Sequence, residues 1–329
     1  MKEHLGARTV ALVPILMLVT FGILFCQPST RCLALLTDLR GEVFVKAVRG
    51  PEFKKAPWGT QLYAGDVVKT SSNGSASVLL TNNNLIALGP GSSITISEGS
   101  TGSQKEPRTI SGIISENLID LSGLTMRSTS EGEVVALAGL RGAGPDLSIE
   151  QLSPRNSAIR SLTPTFSWRS SVQVEKFKVK LYNNHGLLWT KETNQTTMEY
   201  PKDDKPLNYG EKYFWQVEGL ALVDSYQSAN IGFSLLSKEN LTLVENQERS
   251  LNISFSDDPT ATSHQFLAGT LYQQQGLLEE SIAKFETVAQ RYPDAPAAHE
   301  VLGKLYNDVG LKDKAIAALQ KALKLSQAK

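Results

Sequence analysis

The sequence predicts a multidomain β + α protein: two all-β domains followed by an α-helical repeat array. Three observations carry this. Period-two alternation with regular turn residues runs from Leu39 onward, a second alternating stretch rich in aromatic residues covers 153–236, and beyond Ser237 the period becomes 3.6 with self-similarity every 34 residues. At ~150 residues per domain, 329 residues suit two or three domains. Hydrophobic residues make up 41% and charged ones 20%, enough to bury a core, which excludes disorder along the whole chain. Lysine plus arginine and aspartate plus glutamate balance at 33 each, so there is no basic field of the kind a dedicated nucleic-acid binder needs. Two cysteines exclude a disulfide-stapled scaffold, and four histidines leave little for a histidine metal site.

Lys2 and Arg8 precede an apolar run over 9–25, then come polar residues 27–31 and Cys32-Leu33-Ala34. A basic head, an apolar middle and a small exit residue make 1–34 a signal peptide or an N-terminal membrane anchor. Cleavage is expected after Ala34. Either outcome sends the remainder out of the cytoplasm, to the periplasm or cell envelope, and an uncleaved segment would leave the protein membrane-associated. Cys26 follows Phe25, where a lipoprotein needs a small residue; both cysteines lie in this segment.

The first β domain is expected over 37–145. Val43 and Val45, then Ala76, Val78 and Leu80, then Ile94 and Ile96 alternate with mostly polar neighbours, as half-buried strands do. Gly65-Asp66, Ser72-Asn73-Gly74, Asn82-Asn83-Asn84 and Gly89-Pro90-Gly91 supply the turns. Trp58 is read as filling the core of this small domain, and Asp66 as a turn aspartate. The series Gly41-Glu42-Val43-Phe44-Val45, Trp58, Leu62, Gly65-Asp66-Val67-Val68-Lys69-Thr70, Gly74-Ser75-Ala76-Ser77-Val78 and Leu85-Ile86-Ala87-Leu88-Gly89-Pro90-Gly91-Ser92 resembles a FecR-type domain. Ala138-Gly139-Leu140-Arg141-Gly142 is similar to a turn that often follows it. The resemblance implies a β-rich periplasmic module for sensing or interaction. With eight residues ahead of the apolar run, the sigma-factor contact of the best-known members is not expected.

The second β domain is expected over 153–236. Phe166-Ser167-Trp168, Phe177 to Leu181, Leu187-Leu188-Trp189, Tyr213-Phe214-Trp215-Gln216-Val217 and Ile231 to Leu235 read as strands of a β-sandwich. Pro164-x-Phe166-x-Trp168 paired with Leu207-x-x-Gly210-x-x-Tyr213-x-Trp215-x-Val217 is similar to fibronectin type III and immunoglobulin-like envelope domains. The tryptophans are read as core. A second reading treats Trp168 and Trp189 as a stacking face for cell-wall polysaccharide, the alternative partner. His185 is expected in a solvent-facing turn.

The helical domain is expected over 237–329, with Ser237 as an N-cap. Gly269, Tyr272 and Gly276 recur as Gly303, Tyr306 and Gly310; Phe285 recurs as Leu319, and Pro293 follows Pro259. This 34-residue pattern resembles the tetratricopeptide repeat, with repeats at about 262–295 and 296–329. The resemblance implies helical hairpins: Gly269 and Gly303 let helices approach, Tyr272 and Tyr306 fill gaps, and Phe285, Ala315 and Ala322 pack between helices. Pro293 ends a helix. It implies protein partners along the inner helices, here envelope proteins, through Thr270, Gln273, Gln274, Lys304, Asn307 and Asp308. A carboxylate-clamping set is not expected, because Phe266, Thr270, Ala297 and Val301 stand where its cations and amide would be. Lys312, Lys314, Lys321, Lys324 and Lys329 crowd the last helix, and the later ones suit the dipole at its C-terminal end. His264 and His299 are read as helix-face residues.

No Gly-x-Ser-x-Gly elbow, His-Glu-x-x-His helix or Gly-x-x-x-x-Gly-Lys phosphate loop occurs. No catalytic residues, metal or cofactor are assigned, and the expectation is a non-enzymatic scaffold or sensor.

Overall fold

A computed structural model of the chain describes residues 31–97, 108–110 and 148–328. The apolar run over 9–25, Cys26 and the stretch 138–142 lie outside the described residues. Among the described residues, no helix is long and apolar enough to cross a membrane.

Strands β1 (Ala34–Arg40), β4 (Gln61–Leu62), β6 (Ser75–Leu80), β7 (Leu85–Leu88) and β9 (Arg108–Ile110) form one antiparallel sheet in the order β4-β1-β6-β7-β9. Strands β2 (Val43–Lys46), β3 (Lys54–Lys55), β5 (Val67–Thr70) and β8 (Ser93–Thr95) form a second, in the order β3-β2-β5-β8. Leu36, Leu62, Val78 and Ile86 of the first sheet share a core with Val43, Val68 and Ile94 of the second.

Two features differ from the sequence expectation. The first sheet already includes Ala34, which is 1% exposed and pairs with Leu62 and Leu80; Leu33 donates its N–H to the Leu62 carbonyl. Cleavage after Ala34 would remove the first residue of β1 and the Leu33 hydrogen bond to Leu62 from this ladder. Secondly, β1 and β6 are buried on both faces, not one. Leu79 points away from Val78 yet is 1% exposed. Its side, with Leu35 and Leu85, belongs to a cluster completed by the helices.

The second β unit is a pair of facing sheets. One holds β10 (Ile149–Ser153), β12 (Phe166–Ser170) and β15 (Thr197–Met198). The other runs β11 (Ala158–Ile159), β18 (Ile231–Leu235), β16 (Lys212–Leu220), β13 (Lys176–Asn183), β14 (Gly186–Thr193), with β17 (Ser225–Gln227) on β16. Its centre is aromatic: Phe166 lies 5.0 Å from Trp215 and 5.6 Å from Trp189, and Trp168 lies 5.3 Å from Phe177. Edge-to-face packing of this kind adds specificity to the large apolar area buried.

Five helices follow: α1 (Lys238–Ser254), α2 (Thr262–Gln274), α3 (Leu278–Arg291), α4 (Pro296–Asp308) and α5 (Lys312–Gln327). Ser237 caps α1 by accepting from the Asn240 N–H. The hairpin α2–α3 closes because Gly269 has no side chain: a Cβ there would stand 2.7 Å from the Phe285 ring. The hairpin α4–α5 repeats this, with Leu319 against Gly303 and Ala315 and Ala322 buried between helices. Pro293 is exposed in the connection after α3. Tyr272 and Tyr306 each donate a hydroxyl to a glutamate on another helix, Glu248 and Glu286.

Helix α2 is the centre of the molecule. Nine consecutive-turn residues from Thr262 to Leu271 are buried, and they do not lie on one face. A helix buried all round is surrounded by partners, and here one of those partners is the first β unit. A bulge between Thr37 and Arg40 breaks the β1–β6 register and turns Asp38 outward. One Asp38 carboxylate oxygen accepts from the Thr262 N–H (2.5 Å), the Thr262 hydroxyl (2.9 Å) and the Ser263 N–H (3.2 Å). The residue at the N-cap position, Ala261, offers no side-chain acceptor, so the cap comes from another domain. Asp38→Ala is expected to lower unfolding free energy by about 1–2 kcal/mol, with Asp38→Asn recovering most of it. Urea unfolding followed by helical circular dichroism checks this.

Candidate functional site

The turns that close the two helical hairpins are equivalent. Gly276 ends α2 at φ 74° and Gly310 ends α4 at φ 81°, each in the left-handed region that glycine tolerates. Helix ends leave carbonyls without partners. Both turns point theirs at one short segment of the second β unit, residues 151–160.

Arg155 is the centre of that contact. It is 6% exposed, and its guanidinium donates to Val309 O (2.6 Å), Gly310 O (2.9 Å) and Gln151 O (2.9 Å). Asn156 adds a bond to Val309 O at 3.1 Å. One repeat earlier, Ala158 N–H and the Ser157 hydroxyl donate to Gly276 O, and Ser157 Oγ accepts from the Leu278 N–H. The first residues of α3 answer in the other direction: Glu279 accepts from the Ser153 hydroxyl (2.6 Å) and the Arg155 N–H (2.8 Å). Arg160 pairs with Glu248 at 2.8 Å and lies over the Tyr272 ring. The segment is itself held by the sandwich, because Trp215 Nε1 donates to Pro154 O and Gln151 donates to Trp215 O and Ala229 O.

Burial lowers the pKa of Arg155 and raises that of Glu279, as desolvation disfavours each charged form. Tyr272 is pushed up to about 12 by burial and by its bond to Glu248. These groups hold the domains together. They show no nucleophile–base pair, and among the described residues no group of three or more metal-ligating side chains converges.

The first β unit grips the opposite end of α2. Trp58, 2% exposed, meets Phe266 edge-on at 5.9 Å and stacks on Tyr292 at 6.2 Å; the Tyr292 hydroxyl donates to Leu39 O. Trp58 therefore completes a core shared with the helices, rather than filling the core of its own small domain. Its neighbours Leu35, Leu79 and Leu85 do the same.

The residues expected to line a partner groove divide. Gln273, Gln274 and Asp308 are exposed at the C-terminal ends of α2 and α4. Lys304 is half-buried in an ion pair with Glu300 at 2.6 Å, and Asn307 accepts from Lys312. Thr270 is a correction: it is 5% exposed and its hydroxyl donates to Phe266 O, so it faces the interior and contacts no partner. Its helix is encased, which a repeat pattern alone does not reveal.

Trp168 (2% exposed) and Trp189 (7%) lie inside the sandwich. Neither offers a ring to a polysaccharide, and the stacking-face reading falls with them. His264 and His299 are also inside, each 7% exposed. They are bound to Asn252 and to Pro293 O, respectively. Burial lowers both pKa values below 6.5. In the window below 6.5 the unfolded chain binds more protons than the folded one, so stability rises with pH and is lost as pH falls. Glu279 and Glu280, raised above 4.5, act in the opposite sense as pH approaches that value. The melting temperature is expected to fall by a few degrees between pH 7.5 and 5.5, and less so in His264→Gln/His299→Gln.

Sequence reasoning missed Arg155, Glu279 and Asp38. A cationic residue inside the run Ser153-Pro154-Arg155-Asn156 was the available signal for the first; the other two look like ordinary surface acids.

In comparison with known proteins, the tetratricopeptide repeat family matches residues 296–329. No curated protein matches the chain. Among solved structures, a "Cell surface anchoring domain" is similar at 19% identity and TM-score 0.20, covering 23% of this chain and 97% of that one. MamA AMB-1 is similar at 18% identity and TM-score 0.24, and MamA MSR-1 at 20% and 0.24, each over 27% of this chain. The chain spans about half the length of those two MamA structures, 53% and 54%. Tetratricopeptide repeats are, in general, protein-interaction modules without catalysis.

Proposed function

We propose that this protein is a non-enzymatic interaction scaffold of the bacterial cell envelope, exported by its N-terminal segment and ending that segment upstream of Leu33. In this reading the first β unit is the FecR-like module suggested by its motifs, the sandwich is a fibronectin type III or immunoglobulin-like spacer, and the helices bind a protein partner. The observation that carries it is how the polar groups are used. Arg155, Arg160, Glu279 and Asp38 are all spent on joining domains. What remains for other molecules is surface, consistent with the repeat at 296–329.

In this reading the partner surface lies at the exposed ends of α2 and α4, around Gln273 and Asp308. Crosslinking and co-purification of the full chain from envelope fractions tests this. A specific partner is expected with wild type and lost with Gln273→Lys/Asp308→Lys. Recovery of the same proteins by both chains, or fractionation of the native protein with cytosol, overturns the reading.

A further inference from the structure

The first β unit carries a cleft of about 660 Å³ that the domain-joining contacts leave open. Its walls are the loop 47–52, strand β3 and the segment 60–66. The interior is apolar, lined by Val45, Ala56 and Ala64 with Tyr63. A volume of several hundred Å³ with apolar walls and a few polar groups is typical of a ligand site.

The cleft is braced from beneath. Asp66 is 4% exposed, and its carboxylate accepts from the Val48 N–H at 3.0 Å and from the Tyr63 N–H at 2.9 Å. One side chain thus ties the loop to the opposite wall. Val48 also rests on Gly65, where a Cβ would stand 2.6 Å from Val48 Cγ2. The sequence expectation of a turn aspartate is met in position, and the structure adds that this turn holds two walls in register.

The rim is cationic. Arg49, Lys54 and Lys55 line it, against Glu52 and the backbone-bonded Asp66. Lys55 reaches Glu42 at 3.4 Å, whereas Arg49 and Lys54 form no ion pair among the described residues. Val48 remains 55% exposed beside these charges. Unpaired cations around exposed apolar surface are matched by a ligand bearing both carboxylates and apolar groups. The cations sit on two separate segments, so they fit repeated carboxylates better than a single acid group. Strand β3 is the edge of its sheet, which suits an extended ligand with period-two side chains.

We propose that this cleft binds an acidic peptide segment of a partner protein, with apolar side chains inside and carboxylates on Arg49 and Lys54. This deepens the scaffold reading and rests on it, but the residues lie away from Gln273 and Asp308, so the two can fail separately. The test is fluorescence anisotropy of the full chain with a labelled ten-residue peptide of alternating aspartate and leucine. Saturable binding is expected, weakening with salt and falling about tenfold in Arg49→Glu/Lys54→Glu, while Lys321→Glu on α5 leaves it unchanged. A lysine–leucine peptide should not bind. Equal binding by the Arg49/Lys54 variant overturns the proposal, as does equal affinity for the lysine peptide. Dodecanoate showing the same dependence on Arg49 and Lys54 also overturns it, by making the ligand a lipid acid.

Discussion

Arg155→Ala is expected to destabilise the junction between sandwich and helices by about 2–4 kcal/mol, because it strips buried carbonyls of charge-assisted donors. Arg155 donates to both residues of the second hairpin turn, Val309 and Gly310, and to Gln151 on its own side. Asn156 still reaches Val309 O, which sets the lower end of the range. Urea unfolding should change shape as well as midpoint: one transition for wild type, and two in the variant as helices and sandwich part. Lysine at the same position keeps the charge but cannot fork to three carbonyls, so Arg155→Lys should recover less than half of the loss. A variant that unfolds as wild type does would mean that the turns need no partner.

Trp58→Ala should cost about 3–5 kcal/mol, the range for removing a large aromatic side chain from a packed core. The damage is expected on the helical side as much as in the strands. Phe266 and Tyr292 lose their ring partner, and α2 loses part of its cover. Hydrogen exchange in Thr262–Gln274 should rise, although the substitution lies some two hundred residues earlier in the chain. Trp58→Phe should retain roughly half of the stability, since the edge-on contact with Phe266 survives a smaller ring. Unchanged exchange in α2 would show that the β unit and the array are independent.

The elements were legible where neighbours in sequence are neighbours in space. The alternation at Val43–Val45 and Ile94–Ile96 marks strands, and the recurrence of Gly269 and Tyr272 at Gly303 and Tyr306 marks the hairpins. What joins them was not. Leu79 breaks the alternation because its strand is covered twice, and a period-two pattern reports only one buried face. Thr270 sits at a repeat position that reads as surface, yet α2 is enclosed by a unit more than two hundred residues away. Trp58 was placed correctly in a core, but which core depends on helices that no local pattern connects to it. Arg155 bonds across 154 and 155 residues of sequence. Such contacts leave no periodic trace.

The cap that Asp38 gives to Thr262 spans 224 residues, and this separation dictates the order of assembly. A chain made from its N-terminus presents Leu35, Trp58, Leu79 and Leu85 as a bare apolar sheet face long before α2 exists to cover it. The first β unit therefore waits, half-clothed, for about the last quarter of the polypeptide. Any nascent or truncated product ending ahead of Thr262 keeps that face open and is a natural client for a holding chaperone.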